Sequence, residues 1–305
     1  MHGLIVIDKP SGPTSHDVVS HCRRLFQQRK IGHAGTLDPL ATGVLVMGLG
    51  QATRLLDYVH RLDKEYLAEF HFGLRTDSQD LSGQIVSRCS MAHLTPSKLI
   101  AVIPQFLGNI VQIPPAYSAV HYEGKRLYEM ARAGVVVKAK PRTVQVFEMD
   151  LIDFRPGEYP VAKMRIRCGA GVYVRTIASD MGDALGGGGA MGALKRTRVG
   201  PFDIADSITL EQIETITFTD REALLLPALK AVESLPKIQI ISEQLHQLVH
   251  GRSIQAPEGL VINNGEVAVL DSGGKLAAIA EIHKESGWLR PKKVLVPDPM
   301  EATLK

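Results

Sequence analysis

Gly32-His33-Ala34-Gly35-Thr36-Leu37-Asp38-Pro39-Leu40-Ala41-Thr42-Gly43 runs straight into the apolar segment Val44-Leu45-Val46-Met47, so a rigid loop feeds a buried strand. Pro39 fixes its own φ and pushes Asp38 out of the helical region. Gly32, Gly35 and Gly43 permit backbone geometries and close approaches that a side chain blocks. One acid, Asp38, is left at the mouth of the strand. An acid held there has the makings of a nucleophile or a base. Asp-Pro also begins ordinary turns, and a single aspartate is far more often structural or solvated than catalytic, so the loop alone leaves both readings open.

Toward the N-terminus, Gly3 to Ile7 reads as a short buried strand closed by the turn Asp8-Lys9-Pro10-Ser11-Gly12-Pro13. Thr14-Ser15-His16-Asp17 has the spacing of a capping box with Asp in place of Glu. Val18, Val19, Cys22, Leu25 and Phe26 form the apolar stripe of the helix it starts, with His16 and His21 on the surface. Toward the C-terminus, the strand Gly43 to Leu49 is followed by Gly50-Gln51-Ala52-Thr53, which opens a helix with Leu55, Leu56, Val59 and Leu62 on its apolar face. Gly48-x-Gly50 is a weak match to a nucleotide-binding turn, because Thr53 stands at the third glycine position.

Lys64 to Phe72 alternates as a strand does, with Tyr66, Ala68, Phe70 and Phe72 on one face, where the Tyr66 hydroxyl needs a partner. Thr76 to Gly83 reads as an exposed polar connection: it carries two acids but lacks the spacing of a calcium loop. Thr95-Pro96 opens a helix to about Phe106. Ile113-Pro114-Pro115-Ala116-Tyr117-Ser118-Ala119 is rigid and extended. It leads into a short helix over 122–132 that mixes aromatic and basic residues, a combination suited to stacking on bases and meeting phosphates. Lys163 to Cys168 alternates strictly and passes through Gly169-Ala170-Gly171-Val172-Tyr173-Val174-Arg175-Thr176-Ile177 into a helix ending near Leu185. Arg175 sits at that junction. Gly186 to Gly189 reads as a flexible loop, and Ala190 to Val199 as another strand.

With 305 residues, 45% of them hydrophobic, the chain is long enough for two domains. No apolar run approaches the length of a bilayer span, and Met1 to Ile7 lacks the basic start of a signal peptide. Cys22, Cys89 and Cys168 show no metal spacing and cannot all pair, so a reducing cytoplasm is the expectation. The net charge is only +3, but the basic residues fall in acid-free or acid-poor blocks: Arg23 to Lys30, Lys195 to Arg198, and six cations between His121 and Arg142. Such blocks suit a polyanion, and each alone also fits a solvated face. Pro227 to Pro236 reads as a domain boundary. Beyond it, short apolar runs separated by Asn-Asn-Gly and Gly-Gly turns read as a small, partly closed β-barrel.

Several stretches together resemble the TruB-type tRNA pseudouridine synthases. They are Ile7-Asp8-Lys9-Pro10-x-Gly12, the loop from His33 to Gly43, Lys64-x-Tyr66, Ile113-Pro114-Pro115-x-Tyr117-Ser118-Ala119, Gly171-x-Tyr173-x-Arg175-Thr176 and Leu194-x-Arg196, in family order over about the first 230 residues. The resemblance implies an α+β fold, a mixed and largely antiparallel central sheet with flanking helices, plus a small C-terminal β-barrel-like domain of PUA type. It implies a catalytic domain over 1–230 with an RNA-gripping insertion at about 118–142, and a PUA-like RNA-binding domain over 237–305. The implied activity is isomerisation of uridine to pseudouridine at position 55, in the T-loop of tRNA, through an aspartate nucleophile after base flipping.

In that resemblance Asp38 is the catalytic aspartate and Tyr66 and Arg175 are its pocket partners. His33 accompanies flipping, and Tyr173 and Leu194 are pocket wall. Lys9, Lys64, Lys125, Arg126, Arg132, Arg142 and Arg196 are implied RNA contacts. The chain departs from the family pattern at His121, where a lysine is usual, and at Gly187 to Ala190. The implied partner is the T-arm of tRNA, met by a monomer in the cytoplasm, with no membrane and no nucleotide cofactor.

The chemistry is consistent with that cast. Uridine is detached at N1, rotated and rejoined through C5, so atoms balance without a metal or redox cofactor. A carboxylate adds to base or sugar and then leaves. Arg175 beside Asp38 is expected to keep its pKa low despite burial and to restrain it by a bidentate contact. Tyr66 is expected to stack on the base and move a proton late. Unstacking the target costs roughly a few kcal/mol, which phosphate contacts offset. Two other classes compete: an RNA-binding or RNA-folding protein whose Asp38 loop is structural, and a Rossmann-like nucleotide enzyme built on Gly48-x-Gly50.

Overall fold

A strand that is apolar on both faces has to be covered on both sides. Thr42–Leu49 meets that demand: Leu45, Met47 and Leu49 enter one hydrophobic core, while Val44 and Val46 enter another on the opposite face. Its neighbour Gly3–Lys9 divides in the same way, Ile5 and Ile7 to the first core and Leu4 and Val6 to the second. The computed structural model describes residues 1–115, 121–122, 125–126, 130, 139–256, 265–283 and 287–295.

In chain order the strands are β1 (Gly3–Lys9), β2 (Ile31–Ala34), β3 (Thr42–Leu49), β4 (Lys64–Phe72), β5 (Leu74–Thr76), β6 (Ile85–Arg88), β7 (Gly108–Gln112), β8 (His121–Tyr122), β9 (Lys125–Arg126), β10 (Arg142–Arg155), β11 (Val161–Cys168), β12 (Gly189–Val199), β13 (Phe202–Asp203), β14 (Lys237–Gln239), β15 (Ile254–Gln255), β16 (Gly265–Leu270), β17 (Leu276–His283) and β18 (Trp288–Val294). The helices that matter for the site are α1 (Ser15–Leu25), α2 (Leu56–Arg61), α3 (Pro96–Val102) and α4 (Val174–Ala184). The central sheet runs β1-β3-β12-β4-β11-β10-β7, with β2 beside β3 and β13 beside β12. β3 and β12 are parallel and the other neighbours antiparallel, so the sheet is mixed and largely antiparallel, as expected.

Local chemistry explains the elements. Thr14 caps α1 through a complete capping box with Asp17, and Val18, Val19, Cys22 and Phe26 bury its apolar face. β4 alternates without a break, burying Lys64, Tyr66, Ala68, Phe70 and Phe72. β14-β16-β17-β18-β15 form a second sheet, a curled half-barrel. This tail packs directly on the central sheet: Ala268, Ile279 and Leu295 share the second core with Leu4, Val46 and Ala52. Arg54 Nη1 also donates to the Val294 carbonyl at 2.5 Å. Among the described residues no helix is long and apolar enough to cross a membrane.

Three local readings need correction. The stretch 76–83 is not an exposed connection: Ser78 and Asp80 are buried, because Asp80 turns inward to an arginine and Leu81 N donates to the Met191 carbonyl at 2.9 Å. Instead of a helix from residue 122, β8 and β9 pair as antiparallel strands, with Tyr122 opposite Lys125. The rest of the 118–142 insertion before Ala139, apart from Met130, lies outside the described residues. Of Gly186 to Gly189, the last three are buried and packed rather than loose, and only Gly186 is exposed. Gly187 N and Gly188 N both donate to the Gly182 carbonyl, and added Cβ atoms at Gly187, Gly188 and Gly189 would strike Met91, Arg75 and the Ala178 carbonyl.

Gly43 is the glycine of the Asp38 loop with the least room for a side chain. Its φ is +95° and a Cβ would overlap the carbonyl oxygen of Arg196 on β12. Gly43→Ala should therefore lower unfolding free energy by roughly 2–4 kcal/mol, read from the urea midpoint. A midpoint equal to wild type would refute the close approach.

Candidate active site

The Asp38 loop is held from three directions. Lys9, fully buried, donates its ammonium to the carbonyls of Pro10, Pro39 and Ala41 at 2.9, 3.2 and 2.8 Å, which uses all three of its N–H groups. Burial pushes its pKa down to about 8, with Asp38 opposing. Ser15, the first residue of α1, brackets Leu37: its Oγ donates to the Leu37 carbonyl at 3.0 Å and accepts from Leu37 N at 2.9 Å. Arg196, 1% exposed, donates Nε to the Val44 carbonyl at 2.7 Å and Nη2 to the Gly35 carbonyl at 2.9 Å.

Asp38 meets Arg175 of α4, whose side chain is 6% exposed; Nη2 lies 2.9 Å from Asp38 Oδ2. The same guanidinium reaches a second carboxylate, Nη1 standing 3.6 Å from Asp80 Oδ2. Instead of forking onto Asp38 alone, the arginine bridges two acids. Asp80 is itself fastened: its Oδ1 accepts from Ser78 Oγ at 2.9 Å, from Ser82 N at 3.0 Å and from Ser82 Oγ. Gln79, at φ +66°, accepts from Thr176 Oγ1 at 2.9 Å, tying this loop to the first turn of α4.

A cavity of about 200 Å³ opens over Asp38, small for a drug-sized ligand and of a scale for one base. Tyr66, Arg175, Tyr173 and Leu194 line it as expected. Thr36, His60, Val172 and Met191 also line it, though neither spacing nor residue type marked them. Tyr173 is set in place by Gln112 of β7, whose buried amide accepts from Tyr173 N at 3.0 Å and donates to its carbonyl at 3.1 Å. His33 lies on β2 opposite Met47, outside the cavity lining.

The expected depression of the Asp38 pKa is overturned. The carboxylate lines the cavity with its side chain 34% exposed, and burial raises its pKa above the ordinary 3.8. Arg175 is the largest influence holding it down, Asp80 lifts it further and Lys9 lowers it less. Burial likewise raises the Tyr66 phenol, against Arg196, so its hydroxyl stays protonated over a wide range. Among the implied RNA contacts, Lys9, Lys64 and Arg196 prove to be interior. Lys64 Nζ donates to the carbonyls of His60 and Leu62, and burial pushes its pKa down to about 8. Arg142, at the start of β10, is exposed. The side chains of Lys125, Arg126 and Arg132 lie outside what the structure describes.

A family model for the TruB family pseudouridylate synthase N-terminal domain matches residues 23–174, and one for the tRNA pseudouridylate synthase B C-terminal domain matches residues 175–235. The tRNA pseudouridine synthase B of Dehalococcoides mccartyi is 40% identical over 305 residues, 98% of each chain. The chain belongs to the TruB family of pseudouridylate synthases. The tRNA pseudouridine synthase B of Moorella thermoacetica is 42% identical to this TruB family member, covering 96% of this chain and 99% of that one. Two solved structures share the fold. A chain of a Cbf5-Nop10-Gar1 complex superposes with a TM-score of 0.74 at 28% identity, and one of an H/ACA RNP bound to a substrate RNA containing 2'-deoxyuridine at 0.72 and 27%. Each alignment covers 97% of this TruB chain and 85% of the other. Membership of a pseudouridylate synthase family over nearly the whole chain removes the two rival classes, the pure RNA binder and the Rossmann-like nucleotide enzyme.

Proposed function

We propose that this protein converts the uridine at position 55, in the T-loop of tRNA, to pseudouridine, with Asp38 as nucleophile on a flipped base. One observation carries the reading: a carboxylate at the floor of a cavity sized for one base, 2.9 Å from a buried guanidinium, with Tyr66 on the same wall. Asp38 adds to the base or to C1′ and leaves after the ring has turned, so nothing is gained or lost overall. Arg175 steadies the carboxylate and favours its charged form. Tyr66 offers a ring face for stacking and, once the new C–C bond forms, a hydroxyl already protonated for hydrogen bonding. Tyr173 and Leu194 would close the wall, and His33, on β2, would follow the vacated stack.

The same reading takes the protein as a monomer acting in the cytoplasm on the T-arm. Residues 1–230 would do the catalysis, and 237–305 would add a PUA-like RNA surface. Trp288, 47% exposed on β18 with Arg290 and Lys292 along the same strand, supports that surface. Arg142 and the insertion at about 118–142 would grip backbone phosphates. Lys9, Lys64 and Arg196 contribute charge from within. Full-length tRNA transcript labelled with tritium at uridine C5 tests the proposal. Label should be released from wild-type transcript and not from one carrying cytidine at position 55. Equal release from both would refute the assigned position.

A further inference from the structure

His60 belongs to none of the motifs that led to the site, yet it stands at its mouth. It lies on α2, exposed to solvent, and lines the cavity with Asp38 and Tyr66. A methyl group built at Gly35 would sit 4.0 Å from His60 Nδ1 and 3.4 Å from Arg196 Nη1, so the two side chains stand together over the Asp38 loop. The imidazole has no hydrogen-bond partner among the described residues. Its charged neighbours are Lys64 from β4, Arg196 from β12 and Arg61 on its own helix. Lys64 and Arg196 donate inward to backbone carbonyls. The rim is therefore strongly positive, and among the described titratable residues that line the cavity His60 is the one that is exposed and whose side chain makes no hydrogen bond.

Such a rim calls for an anion, and the anion that arrives with a flipped nucleotide is its own phosphodiester. We propose that His60 contacts RNA at the cavity mouth, donating as an imidazolium to a phosphate beside the flipped nucleotide. The inference rests on the RNA reading above. In the free protein, partial desolvation of the ring at the cavity mouth and then the three cations hold the His60 pKa below 6.5. A phosphate placed against the ring raises it, so binding takes up a proton. The sign follows: the added affinity is fully present below the free pKa and is lost as pH rises through the bound pKa. Between the two values the limiting slope is about tenfold per pH unit.

The test uses the full chain carrying Asp38→Asn, which prevents turnover and removes Asp38 from the titration, with and without His60→Gln. The Lys64 ammonium binds the His60 backbone carbonyl, so the substitution leaves that brace intact. Fluorescence anisotropy with a T-arm stem-loop should show Kd weakening by about fivefold or more from pH 6 to pH 8 beyond any change in the His60→Gln protein. Lys64 keeps its two carbonyl partners in both proteins, so its own titration is largely subtracted by the comparison. A stem-loop with neutral methylphosphonates flanking the target uridine should lose the same slope. Identical slopes with and without the His60→Gln substitution overturn the proposal, and a slope that survives the methylphosphonates overturns the phosphate as its partner. Failure to bind the RNA at any pH would instead strike the RNA reading itself.

Discussion

Asp38→Asn is expected to cut single-turnover tritium release by about 10⁴-fold or more while leaving RNA affinity within about threefold of wild type. Asparagine has the shape of aspartate and keeps the loop that Lys9, Ser15 and Arg196 hold through backbone atoms, so the loss isolates the carboxylate. Release at an undiminished rate would remove the nucleophile from position 38. The wild-type pH profile carries a second signature. Because burial raises the Asp38 pKa, the ionised form is lost at higher pH than for a solvated aspartate, and the acid limb of the chemical step should lie above the usual 3.8. Linkage gives stability the matching sign. The folded chain holds this proton more tightly than the unfolded chain, so the contribution of Asp38 to stability is greatest below its unfolded pKa. It declines as pH rises through the folded value, and it should be missing from the asparagine variant.

Arg175→Lys is expected to slow the chemical step by about 10²–10³-fold with near-normal RNA binding, since an ammonium keeps the charge but cannot bridge two carboxylates as the guanidinium does. The acid limb should also move, and in a direction that separates Arg175 from Asp80. Lysine brings its charge less closely to Asp38, so the limb shifts toward higher pH. Asp80→Asn deletes a negative neighbour that lifts the Asp38 pKa, so the limb shifts toward lower pH. Opposite displacements in single-turnover profiles would establish the bridge. Affinity lost in proportion to rate in the lysine variant would assign Arg175 to phosphate binding instead.

Periodicity and cap chemistry made much of this architecture readable. β4 and β11 alternate without a break, Thr14 and Asp17 announce α1, and Thr95-Pro96 announces α3. Asp38 was legible as an acid on a stiff turn, from the proline and three glycines around it, while its catalytic role came only with the family resemblance. Asp80 was hidden: a polar run of Thr, Asp, Ser and Gly has the composition of a solvent loop, and only the contact with α4 shows that it turns inward. Gln112 and His60 were hidden for the same reason, since each acts across a gap of many residues, on Tyr173 and on the rim around Gly35 and Arg196. The interior lysines looked like RNA contacts because charge in a sequence carries no depth.

What the chain's own order of residues settled is therefore local: which stretches extend, where helices begin, and that one acid sits on a stiff turn, because caps, φ restrictions and apolar spacing act over a few neighbours. The packed tertiary structure decided the rest. It brought Arg175 and Asp80 to Asp38, moved Lys9 and Arg196 from the surface into the loop's supports, and raised the carboxylate's pKa instead of lowering it. Desolvation and through-space charge depend on which distant segments meet, and no window of sequence holds that information.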